Sequence, residues 1–122
     1  IAIYGCGRCG KYILPIVRKW GCKVLCFIDA DIGKQGGEYC GYTVLGIDEA
    51  LQQFDTMAIV NSVQKGQDKI QRYLISKGVD SGKILNFSMK SEIYYMALAP
   101  KYYNYEYMDD CIRDFGWKVD LP

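Results

Sequence analysis

The sequence predicts an α/β fold, a parallel sheet of about five strands with helices on both faces. Three observations carry that prediction. Short apolar runs alternate with amphipathic stretches along residues 1–88. The second of those runs, residues 23–29 (KVLCFID), is almost continuously apolar, as expected of a strand covered on both faces. A turn of sequence Gly5-Cys6-Gly7-Arg8-Cys9-Gly10 joins the first run to the first amphipathic stretch and matches G-x-G-x-x-G at all three glycines.

Residues 1–4 (IAIY) form the first strand and residues 11–20 the first helix. Ile13, Leu14, Ile16, Val17 and Trp20 supply its apolar face, Pro15 sits in its second turn, and Gly21 provides a left-handed cap. After the second strand, residues 31–42 (DIGKQGGEYCGY) are polar and glycine-rich, a loop long enough to act as a lip over a site. A short third strand (43–45) and a short helix (47–54) follow. Residues 56–61 (TMAIVN) make the fourth strand, and 66–77 a helix directing Ile70, Tyr73, Leu74 and Ile75 at the sheet and stopped by Gly78. Residues 83–87 (KILNF) make the fifth strand. Such alternation means parallel strands joined by crossovers, and right-handed crossovers give the order 3-2-1-4-5.

Composition bounds the function. A chain of 122 residues, half of them hydrophobic and 24% charged, is an ordinary globular composition with enough length for a core. The net charge of +1, with signs interspersed, gives no electrostatic footprint for nucleic acid or an anionic membrane. No apolar run approaches the ~20 residues of a membrane-spanning helix. No secretion signal precedes the first strand, so the expected location is cytoplasmic with reduced thiols. The first residue is not Met and is already strand, which suggests a domain of something longer.

The glycine turn carries the chemistry. Gly5 lets the chain turn tightly out of the strand, Gly7 has no Cβ to obstruct a pyrophosphate, and Gly10 lets the helix approach the sheet. The helix N-terminus offers unpaired N–H groups and partial positive charge to phosphate. Asp29, nineteen residues beyond Gly10, stands where an acid accepts hydrogen bonds from ribose hydroxyls. Ligands of such sheets bind beyond the carboxyl ends of the strands where the strand order reverses, here between strands one and four. The glycine turn, Asp29 and the Asn61-Ser62 strand end therefore surround one site. The alternative is a turn that is retained only for folding and binds nothing.

The six cysteines raise two further readings. Cys6-x-x-Cys9 at a helix start resembles the redox turn of a thioredoxin, in which the helix lowers a thiol pKa. No proline turn is available opposite it, and the interleaved glycines suit phosphate better. Cys6, Cys9, Cys22 and Cys26 have the spacing of a four-cysteine zinc site, but Cys26 lies within an apolar strand and the chain has no histidine. Tyr73-x-x-x-Lys77 matches the proton-transfer pair of short-chain dehydrogenases, yet falls too early in the chain, and Tyr73 is expected in the core.

With these residues in view, residues 3–51, and above all FIDAD followed by GKQGGEYCGYTVLG, resemble the Rossmann-like, sugar-nucleotide-binding N-terminal domain of bacterial amino-sugar acetyltransferases. Similar domains stand beside other enzymes of polysaccharide biosynthesis, and the resemblance covers about residues 1–88. It implies that Gly5, Gly7, Arg8 and Gly10 contact phosphate and that Asp29 and Asp31 approach the nucleoside. Cys6 and Cys9 stand where that family uses smaller residues. The acetyl-transfer histidine is missing, so acetyl transfer by this chain alone is not expected.

The expected ligand is a UDP-sugar or NAD. NADP is disfavoured, because Asp29 would repel a 2′-phosphate. The short second half of the fold tilts the choice toward the sugar nucleotide. Two domains are expected: a Rossmann-like nucleotide-binding domain (1–88) and a helical extension (89–122). Residues 91–117 hold six of the eleven tyrosines together with Phe115 and Trp117. Tyrosine suits contact surfaces, so this segment either caps the sheet edge or makes a homodimer or neighbouring-domain contact. Three functions follow: a binding module of a larger glycan-biosynthesis transferase, an NAD-dependent oxidoreductase domain, or a ligand-free interaction scaffold.

Overall fold

The computed structural model describes residues 1–19 and 21–88. Contacts group Ile1–Phe87 as one compact unit and Ser88–Pro122 as a second. Trp20 and the tyrosine-rich segment lie outside the described residues.

The elements run β1 (Ala2–Tyr4), α1 (Arg8–Lys19), β2 (Cys26–Ile28), β3 (Glu38–Tyr39), β4 (Tyr42–Leu45), α2 (Ile47–Gln53), β5 (Ile59–Asn61), α3 (Gln67–Ser76), a 3₁₀ turn (Ser81–Lys83) and β6 (Ile84–Asn86). Their order in the sheet is β3-β4-β2-β1-β5-β6. The five strands β4, β2, β1, β5 and β6 are mutually parallel, and among themselves they stand in the expected 3-2-1-4-5 order. This is a Rossmann-like sheet.

Period-two alternation divides the core between two faces. Ala2, Tyr4, Cys26, Ile28, Leu45 and Ile59 join Ile47 and Ala50 of α2 and Leu74 of α3 in one buried cluster. Ile3, Phe27, Val44 and Val60, also buried, alternate onto the opposite face. There α1 approaches so closely that a Cβ on Gly10 would stand 3.1 Å from Phe27 Cε1. Helices therefore cover both faces.

Several boundaries differ from the expectation. Helix α1 begins three residues early because the Gly7 carbonyl already accepts the Lys11 N–H at 3.0 Å. It runs through Pro15, which lies on the exposed side. Gly21 and Gly78 close α1 and α3 with positive φ, as expected. Strand β2 is shorter than its apolar run, being limited by the three residues of β1 that pair with it.

The loop at 31–42 contains an unexpected strand. β3 pairs antiparallel with β4 through a two-residue turn, Cys40-Gly41, with φ of 52° and 84°. Positive φ at both positions is the turn geometry that matches the twist of a hairpin. The hairpin rests on the α1 face. Phe27 packs edge-on against Tyr39 and Tyr42, with ring centroids 5.2 and 6.2 Å away. Arg18 of α1 hydrogen-bonds Tyr42 Oη and stacks over its ring.

Tyr73 and Ile75 are corrections. They are 39% and 43% exposed, while Leu74 is fully buried and Ile70 packs partly against the core. The apolar stripe of α3 is narrower than its sequence suggested.

Candidate functional site

The three glycines of the turn differ in why they are glycine. Gly5 has φ +104°, and a Cβ there would stand 2.5 Å from Ser62 Oγ and 2.9 Å from Val63 Cγ2. Gly10 meets the Gly5 carbonyl oxygen, so no side chain fits between α1 and the turn. Gly7 is exposed, has no positive φ and has nothing within 4 Å of where its Cβ would be. Gly37 and Gly82 likewise have no positive φ and would meet only ordinary van der Waals contacts, at 3.5 and 3.6 Å, but both lie outside the turn. Space and conformation explain Gly5 and Gly10; neither applies to Gly7, which stands at the N-cap of α1.

Asp29 follows β2 directly. Its Oδ2 accepts the Cys6 N–H at 2.8 Å and its Oδ1 accepts the Asp31 N–H at 2.9 Å. Asp31 Oδ1 in turn accepts from Gly33 N–H, which shapes the start of the loop. The loop then bends back over the turn. Lys34 Nζ donates to the Cys6 carbonyl at 3.1 Å and Tyr39 Oη to the Gly7 carbonyl at 3.0 Å. Gln35 Nε2 donates to the Asp29 carbonyl at 2.8 Å. Lys34, Gln35 and Tyr39 were not singled out from the sequence. The only signal for the hairpin was the pair Cys40-Gly41 between two tyrosines, and cysteine is an unusual residue at a left-handed turn position.

Gly5, Gly7, Arg8, Gly10, Asp29 and Asp31 thus gather at the carboxyl end of β1 and β2, with Gly7 and Arg8 exposed. Asn61 and Ser62 are 0% and 1% exposed. Ser62 Oγ lies 2.7 Å from the Tyr4 carbonyl, to which it donates, and the Gly5 carbonyl lies 3.2 Å away, so Ser62 ties β5 to the glycine turn from behind. Asn61 Nδ2 donates to Asn86 Oδ1 and its Oδ1 accepts from Val63 N–H. Both side chains spend their hydrogen bonds inside the protein.

Neither the Cys6 nor the Cys26 thiol is activated. Burial, and then the Asp29 carboxylate, push the Cys6 thiol up, although Lys34 pulls the other way. A redox turn needs the opposite shift. Cys26 is buried within β2 and pushed up to about 11. Among the described residues no group of three or more His, Cys, Asp or Glu converges as metal ligands. Lys77 sits over the Tyr73 ring and pairs with Asp48 at 3.4 Å.

On the α2–α3 face two hollows of about 260 and 320 Å³ share Tyr4, Ala30 and Tyr73. They lie beside Asp29, at the carboxyl ends of β1 and β2. No helix among the described residues is long and apolar enough to cross a membrane.

No family model matches the chain, and no curated protein matches it. Among solved structures it is similar to UDP-D-quinovosamine 4-dehydrogenase from Vibrio fischeri, with 21% identity and a TM-score of 0.48 over 62% of this chain and 68% of that one. A likeness at this level says nothing of ligand or reaction.

Proposed function

We propose that residues 1–88 are a nucleotide-binding module that receives a nucleoside diphosphate compound, a sugar nucleotide or NAD, on the glycine turn. The observation that carries this reading is Gly7. A glycine with neither a strained φ nor a crowded Cβ position, set at the exposed start of a 12-residue helix, leaves the turn open to a group that must come close. Asp29 and Asp31 serve the ribose, Arg8 and the backbone of the turn serve the phosphates, and Asn61 and Ser62 act indirectly by holding the turn in place.

The module works within a larger sugar-modifying enzyme of glycan or polysaccharide biosynthesis, with residues 89–122 as an appended contact segment. The sequence resemblance supports this part of the reading. Thermal-shift and calorimetric titrations with UDP-N-acetylglucosamine, UDP, NAD and NADP test it. A bound ligand at a hundred times its Kd stabilises the fold by about 2.7 kcal/mol. The reading requires that Gly7→Val abolish this gain while the ligand-free protein melts as before. If none of the four ligands stabilises the wild-type chain, the reading is wrong.

A further inference from the structure

The carbonyls from Tyr4 to Gly7 are all held by donors of the protein. The Tyr4 carbonyl accepts the Ser62 N–H at 2.9 Å and the Ser62 hydroxyl at 2.7 Å, and the Gly5 carbonyl lies 3.2 Å from the same hydroxyl. The next two are taken by the loop and strand that follow β2. Lys34 Nζ donates to the Cys6 carbonyl, and Tyr39 Oη to the Gly7 carbonyl, which also accepts the Lys11 N–H. The N–H groups of the turn are treated differently. Gly5 donates to the Ile28 carbonyl and Cys6 to Asp29 Oδ2, whereas the Gly7 N–H has no acceptor among the described residues.

A trans peptide is planar, and its C=O and N–H point in opposite directions. The carbonyl that Lys34 holds belongs to the same peptide as the Gly7 N–H, and the carbonyl that Tyr39 holds to the same peptide as the Arg8 N–H. Fixing the two carbonyls therefore fixes the two N–H groups, each aimed away from the side chain that holds its carbonyl. For an anion at the turn this decides between attraction and repulsion. A flipped Cys6–Gly7 peptide would present a carbonyl oxygen where the N–H now stands. Glycine is the residue whose φ most readily permits that flip, so the openness of Gly7 calls for a restraint from outside the turn. The two clamps are themselves anchored. Lys34 N–H donates to the Asp31 carbonyl at 3.0 Å, and the Tyr39 ring packs edge-on against Phe27.

We propose that Lys34 and Tyr39 are positioning residues of the phosphate site, holding the Cys6–Gly7 and Gly7–Arg8 peptides so that both N–H groups face a bound diphosphate. The proposal rests on the nucleotide-binding reading and adds what keeps the turn in its receiving conformation.

Two measurements on the full chain test it. The first needs no ligand: ¹⁵N relaxation of the Gly7 and Arg8 amides. Tyr39→Phe and Lys34→Met each remove one donor and keep the bulk of the side chain, and each should drop these order parameters below the rigid-backbone value of about 0.85. Tyr42→Phe, on the same hairpin but bonded to Arg18, should leave them unchanged and so separates the clamp from general loosening of the hairpin. The second is calorimetric titration with inorganic pyrophosphate, UDP and NAD. Tyr39→Phe, which alters no charge, should weaken whichever of them binds the wild type about fivefold, the effect of one hydrogen bond, and Tyr42→Phe should not. Unchanged order at Gly7 and Arg8 in Tyr39→Phe and Lys34→Met overturns the proposal whether or not a ligand binds. Unchanged affinity in Tyr39→Phe overturns it and leaves the nucleotide reading standing. If the wild type binds none of the three, the nucleotide reading falls and the proposal with it.

Discussion

The backbone N–H of Cys6 donates to Asp29 Oδ2 at 2.8 Å, so the acid that ends β2 also supports the glycine turn that begins α1. One carboxylate has two tasks. It is placed to receive a ribose, and it holds the loop that is to receive the phosphates.

Asp29→Ala is therefore expected to affect both stability and binding. Losing the acceptor for Cys6 N–H and Asp31 N–H at a half-buried position should cost about 1–2 kcal/mol. Asp29→Asn keeps one acceptor oxygen and should recover part of that stability. Urea titration of the two variants measures the structural share, and ligand titration of Asp29→Asn measures the rest.

The turn makes a paired prediction about its glycines. Gly10→Ala forces a methyl group against the Gly5 carbonyl and the Phe27 ring, and should cost about 1–3 kcal/mol, as overpacking does. Gly7→Ala meets nothing and sits at no left-handed φ, so the ligand-free protein should change by less than about 1 kcal/mol, the gain from a less flexible unfolded chain being offset by the poorer N-cap that alanine makes for α1. Chemical denaturation of both variants decides this, and an equal loss at both positions would remove the special status of Gly7.

Much of this was legible in the sequence because it rests on local signals. The glycine spacing, the near-continuous apolar run through Phe27 and the caps at Gly21 and Gly78 each have a backbone reason that needs no tertiary information. The hairpin at Glu38–Leu45 was not legible. A two-residue strand leaves no alternation to read, and the turn that makes it uses Cys40 where asparagine or aspartate is the usual marker. Tyr73 was misplaced for a different reason. Its helical spacing from Ile70 and Leu74 is that of a core residue, but α3 buries only a narrow stripe and leaves Tyr73 over the hollows. Asn61 and Ser62 stand at the strand end where a ligand-binding residue is sought, yet their partners, Asn86 and the Tyr4 carbonyl, are distant in sequence.

Asn61 carries the next prediction. It bridges β5 to β6 through Asn86, whose own Nδ2 donates to Gln71 of α3 at 2.8 Å, and it also accepts from Val63 N–H. Asn61→Leu leaves both partners unmatched in a site with no exposure and should cost about 2–3 kcal/mol. The double variant Asn61→Leu/Asn86→Leu removes the amide pair together and should cost less than the sum of the single changes, which a double-mutant cycle by urea denaturation reports.

The last prediction concerns alkaline pH. Cys26 is pushed up to about 11 from an ordinary 9.0, chiefly by burial in β2, with the N-terminal ammonium opposing slightly. A thiol raised in the folded state is held neutral there, while the unfolded chain releases the proton near pH 9. Between those values the folded state binds more protons, so stability falls as pH rises. The contribution is complete below about pH 9 and is lost on approaching pH 11. Cys6 and Tyr4 are raised for the same main reason and add to the decline. Cys26→Ala removes one titrating group from the core and should flatten the fall in melting temperature between pH 9 and 11 relative to wild type, even if the variant starts lower. An unchanged slope would mean that the Cys26 thiol ionises in the folded protein as readily as in the unfolded chain, and that β2 admits water.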